Sequence, residues 1–70
     1  MIYYELYYMG DILADWDSVE DAYEDMEADY HDCGPDAFNF STFVKVENEK
    51  RTVIARDHDI IRYFQNRLEV

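Results

Sequence analysis

Apolar and polar residues alternate along residues 2–8, so that Ile2, Tyr4, Leu6 and Tyr8 fall on one side of an extended chain and Tyr3, Glu5 and Tyr7 on the other. A period of two is the pattern of a strand with one buried face. Gly10 and Asp11 carry turn chemistry, and residues 12–16 give a second strand with Ile12, Ala14 and Trp16 on one face and Leu13 and Asp15 on the other. The two apolar faces coincide only across a loop with an odd number of residues. This predicts Met9, Gly10 and Asp11 as a three-residue loop with Gly10 at positive φ. On that register the outer face presents Tyr3, Glu5, Tyr7, Leu13 and Asp15.

From Val19 the period lengthens. Val19, Ala22, Tyr23, Met26, Tyr30 and Cys33 fall on one stripe of a helix, with Asp17 or Ser18 as N-cap, Asp21 completing a weak capping box, and Gly34 and Pro35 ending it. The other positions are almost all acidic, so carboxylates occupy roughly two thirds of the circumference.

Alternation returns at residue 38, which predicts Phe38, Phe40, Thr42, Val44 and Val46 inward and Asn39, Ser41, Phe43, Lys45 and Glu47 outward. Asn48, Glu49, Lys50 and Arg51 read as a polar turn, and residues 52–56 as the returning strand with Val53 and Ala55 inward. Residues 57–68 read as a helix that starts at Asp57 or Asp59, with Ile60, Ile61, Phe64 and Leu68 inward and Arg62 and Arg67 outward. The order ββαββα predicts an α+β fold: one domain over residues 1–70, with a four-stranded antiparallel sheet and both helices on one face.

Composition narrows what such a domain can do. Seventy residues sit near the lower limit for independent folding, since a chain of this size buries only about 60% of its unfolded surface, and a deep catalytic cavity is not expected. An apolar content of 49% with twelve aromatics separates the chain from disordered acidic tails. The single cysteine, Cys33, allows no intramolecular disulfide, and no segment has the form of a signal peptide, so the expected location is the cytoplasm. A net charge of −11 and the lack of Lys/Arg clusters argue against membrane surfaces and against direct nucleic-acid binding.

Candidate catalytic and metal groups are few. His31, Asp32 and Cys33 are consecutive on a helix, so their side chains diverge. Asp57, His58 and Asp59 read as capping acids around an exposed histidine. Asp15, Asp17 and Glu20 lack the glycine and ligand spacing of a calcium loop. Ser18 and Ser41 have no base partner, and there is no glycine-rich phosphate loop. No enzyme activity, cofactor or metal is expected.

The charge is unevenly placed. Residues 1–36 hold twelve acids and no Lys or Arg, whereas residues 37–70 hold five acids against six bases. On the helix, Asp17 and Asp21, Glu20 and Glu24, Asp21 and Asp25, and Asp25 and Asp29 are like-charged i, i+4 pairs, each costing about 0.2–0.5 kcal/mol. Asp29 and Asp32 also face the negative end of the helix dipole. Eight acids (Asp17, Glu20, Asp21, Glu24, Asp25, Glu27, Asp29 and Asp32) lie in sixteen residues. That is about one charge per 3 Å of helix, close to the ~3.4 Å phosphate spacing of one DNA strand.

In size, charge and acidic helix the chain resembles the small acidic inhibitors of phages and mobile elements: anti-restriction, anti-CRISPR and uracil-DNA glycosylase inhibitor proteins that occupy the DNA groove of their targets. The resemblance implies a stoichiometric inhibitor whose helix enters the basic groove of a nucleic-acid-handling enzyme. Its expected binding residues are those eight acids, with Tyr3 and Tyr7 as outward aromatic contacts. An antitoxin or immunity protein against a basic toxin would use the same helix. A structural domain would instead self-associate, as a homodimer, through the Tyr3/Tyr7 face.

Overall fold

The computed structural model describes the backbone of residues 1–68 and the side chains of residues 1–65. Strands β1 (Ile2–Tyr8), β2 (Asp11–Trp16), β3 (Ser41–Glu47) and β4 (Lys50–Arg56) form one antiparallel sheet in the order β2-β1-β3-β4. Helices α1 (Val19–Cys33) and α2 (His58–Leu68) pack on the same face of it. The α+β class and ββαββα order are those the periodicity predicts. Because the acid-rich half supplies β1 and β2 and the other half β3 and β4, the sheet has an acidic margin (Asp11, Asp15) and a basic one (Lys50, Arg51, Arg56).

The first hairpin reaches the expected face by another route. Tyr8 pairs with Asp11, so the loop is the two residues Met9 and Gly10, at φ 50° and 89°, the left-handed pair of a tight hairpin turn. The register then jumps between Tyr7↔Ile12 and Leu6↔Ala14, leaving Leu13 as a bulge. An even loop plus one bulged residue has the parity of an odd loop. Ala14 and Trp16 therefore join Leu6 and Tyr4 beneath the helices, while Ile12 lies across from Tyr7 on the opposite face.

The predicted phase of β3 is inverted. Phe38 is buried at the end of a 3₁₀ turn over Gly34–Phe38, and Phe40 takes φ 62° and is 68% exposed, so neither belongs to the strand. Alternation restarts at Ser41 and places Phe43, expected outside, at the centre of the core with no exposed surface. Its ring lies 5.8 Å from Tyr4, 6.4 Å from Trp16, 6.0 Å from Tyr63 and 5.4 Å from Phe64, within the range of favourable aromatic contact. Val44 and Val46 consequently face away from the helices, and with them Thr42.

The second hairpin is also tighter than predicted. Glu47 pairs with Lys50 across Asn48 and Glu49, both at positive φ, so Lys50 and Arg51 belong to β4 rather than to a turn. A bulge at Ile54 keeps Ala55 opposite Phe43 in the core but turns Val53 to the helix-free face opposite Val44. On α1 the stripe of Val19, Ala22, Tyr23, Met26 and Tyr30 is buried or half-buried as expected, whereas Cys33, in the last turn, is exposed. In α2, Ile60 and Phe64 are buried, Ile61 and Tyr63 half-buried, and Arg62 exposed. The expected placements of Arg67 and Leu68 concern side chains outside those described. No helix among the described residues is long and apolar enough to cross a membrane.

Candidate functional site

Ser18, in extended conformation, accepts a hydrogen bond from the Asp21 backbone N–H at 3.1 Å and starts α1, and Gly34 at φ 71° closes it. Between these caps Glu20, Asp21, Glu24, Asp25, Asp29 and Asp32 are exposed and Glu27 is half-buried, and Asp17, just before the N-cap, is exposed as well. No Lys or Arg lies on this helix. Acidic side chains are therefore exposed along the whole length of α1.

The acids do not form one row. Asp15, at the sheet margin, with Asp17, Asp21, Glu24 and Asp25, frames an open cleft of about 370 Å³ beside Trp16. Asp25 and Asp29 flank Leu13 and Trp16 further along the β2 side. Glu27 is on the opposite flank, at the edge of an apolar cleft between α1 and α2 lined by Tyr23, Tyr30, Phe38 and Phe64. There it stands 3.6 Å from His31. Interaction with Glu27, then burial and the Glu27 charge, push the Tyr23 hydroxyl above its ordinary pKa. The single-row density of one charge per ~3 Å thus overstates the match to a phosphate backbone, because the charges are spread over more than one flank.

Trp16 and Asp15 are members of this surface that helical periodicity alone does not point to. Trp16 Nε1 donates to Asp25 Oδ2 at 2.6 Å, which holds one carboxylate against the end of β2. Among the described residues no three His, Cys, Asp or Glu side chains converge as metal ligands would.

Tyr3 and Tyr7 are elsewhere. They lie on the helix-free face of the sheet, so the expected binding residues fall on two opposite sides of the molecule. Tyr7 Oη donates to Glu5 Oε1 at 2.9 Å, and Arg51 Nε donates to the same oxygen at 2.9 Å and approaches Tyr7 Oη at 3.2 Å. Glu5 is 4% exposed. Burial opposes its ionisation, but the Arg51 and Tyr7 hydrogen bonds and the Arg51 charge outweigh it and hold the carboxyl below its ordinary pKa. The sequence does not point to this pair, because the polar turn expected over residues 48–51 takes Arg51 out of β4, from which its side chain reaches across β3 to Glu5.

No family model, curated protein or solved structure matches the chain.

Proposed function

We propose that the chain is a stoichiometric protein inhibitor in which α1 presents Asp17, Glu20, Asp21, Glu24, Asp25, Glu27, Asp29 and Asp32 to the basic groove of a nucleic-acid-handling enzyme, such as a host-defence nuclease, and so excludes nucleic acid. The observation that carries this reading is the unmixed acidic surface of α1, continuous with a cleft framed by carboxylates. Solubility alone does not require it, since lysines mixed into the same positions would remove like-charge pairs that cost about 0.2–0.5 kcal/mol each. A basic groove would convert that repulsion into attraction. Association would be fast at low ionic strength and would weaken as salt screens the two surfaces.

The test begins by immobilising the protein at low salt, eluting bound host proteins with salt and identifying them. An eluted enzyme that binds nucleic acid, and whose labelled duplex DNA is displaced by the free protein mole for mole, is the expected result. Eluted proteins that do not bind nucleic acid, or DNA complexes untouched by an excess of the protein, would contradict the reading.

A further inference from the structure

The sheet face without helices carries the Glu5–Arg51 ion pair across its centre and opposite charges, Asp15 and Arg56, at its two margins. Val44 and Val46 are buried there beside Glu5, Tyr3 and Tyr7 are half-buried, and Ile12 and Val53 are 54% and 44% exposed. Asp15 stands on the β2 margin of this face and Arg56 on the β4 margin, while the Arg51 side chain reaches from β4 across the face to Glu5. Among the described residues Arg56 forms no ion pair.

We infer that a second copy of this chain docks on this face, sheet against sheet, about a two-fold axis that runs along the strands between β1 and β3. That axis lays β2 of each copy over β4 of the other. Asp15, Glu5, Val44 and Val53 form one row across the sheet, with the row of Ile12, Tyr7, Thr42 and Arg56 on one side and that of Tyr3, Val46 and Arg51 on the other. Asp15 of one copy therefore lies over Val53 of its partner and beside the partner's Arg56. An axis across the strands would instead set Asp15 over Asp15 and arginine over arginine, which like-charge repulsion disfavours.

The net charge of −11 per copy does not forbid the pairing. Both acidic helices lie on the outer sides, separated by layer spacings of roughly 10 Å each, several times the ~8 Å Debye length at physiological salt in total. At ~4.8 Å between strands and ~3.4 Å per residue, the face measures about 450 Å², or on the order of 900 Å² for the pair. This is just under the ~1,000 Å² of a stable interface, so the dimer is a weak, reversible one. The inference rests on the face opposite α1; Asp15 at the sheet edge also borders the acidic cleft, so the Arg56→Asp variant, remote from that cleft, keeps it distinguishable from the inhibitor reading.

Sedimentation equilibrium over roughly 5–500 µM tests it, with K_d read from the mass. The wild-type chain is expected to pass from monomer to dimer. Asp15→Arg and Arg56→Asp, both at exposed positions, should each raise K_d by about tenfold or more by setting like charges over one another. Mixing the two variants should restore dimerisation, because the introduced Arg then faces the introduced Asp, and this rescue also shows that both are folded. A wild-type chain that stays monomeric, single variants that dimerise normally, or a mixture that fails to recover would each overturn the proposal.

Discussion

The indole Nε1 of Trp16 donates to Oδ2 of Asp25 at 2.6 Å and joins the end of β2 to the second turn of α1. Trp16 is the only tryptophan of the chain, so its fluorescence reports on the acidic cleft. Asp25→Ala removes the hydrogen bond, about 0.5–1.5 kcal/mol, but also relieves the i, i+4 repulsion with Asp21 and Asp29, about 0.2–0.5 kcal/mol each. The opposing effects leave stability within about 1 kcal/mol of wild type. Trp16 emission, by contrast, should shift to longer wavelength as water takes the place of the carboxylate. Unchanged emission would show that the pair does not persist in solution.

Phe43 touches the rings of Tyr4, Trp16, Tyr63 and Phe64, so it couples α2 to β1 and β2 through β3. Phe43→Ala should cost about 3–5 kcal/mol, against a total of roughly 4–10 kcal/mol for a chain of this length. Phe40→Ser, at an exposed position, should change stability by less than about 0.5 kcal/mol. Urea denaturation of the two variants checks the contrast, and equal effects would contradict the inverted phase of β3.

Glu5 has a depressed pKa in the folded chain, so the unfolded chain takes up the proton first as pH falls. Its ion pair with Arg51 therefore contributes stability that is fully present above the ordinary carboxylate range and is lost as pH drops through that range. Glu5→Gln should be less stable than wild type near neutral pH, and the gap should narrow by about pH 3. Thermal unfolding at both pH values measures it. A gap that stays constant would contradict the assigned cause.

Glu49 sits at φ 69° in the tight turn between β3 and β4, a conformation that costs a residue with a Cβ about 1 kcal/mol and glycine almost nothing. Asn-Gly is the preferred pair for such a turn. Glu49→Gly should raise stability by about 0.5–1 kcal/mol, seen as a higher urea midpoint.

The parts of the fold that are legible in the sequence are those where one local signal governs. Ser18, the stripe from Val19 to Tyr30, and Gly34 mark α1 without reference to the rest of the chain. The face of β3 is not legible because Phe40, at φ 62° and held by Asp57, resets the phase, and that of Val53 is not legible because a bulge at Ile54 shifts the register of β4. Asp57 Oδ1 accepts the Phe40 N–H at 2.7 Å, and the Asp57 N–H donates to the Ser41 carbonyl at 3.0 Å. Val44 and Val46 are buried, as the sequence suggests, but on the sheet face opposite the helices. The acidic surface was legible from charge alone. Its division into flanks, and the separation of Tyr3 and Tyr7 from it, depend on how α1 lies over the sheet.

The central claim, that the α1 surface itself excludes nucleic acid, is tested most directly by displacing labelled duplex DNA from an enzyme captured by the protein, at roughly 50 mM salt where electrostatics are strongest. One variant carries Asp21→Lys, Glu24→Lys and Asp32→Lys, and a second carries Asp11→Lys, Glu47→Lys and Glu49→Lys, all at exposed positions, so that both reach the same net charge. The account predicts that the first loses displacement while the second keeps most of it. Equal displacement by both variants would contradict it.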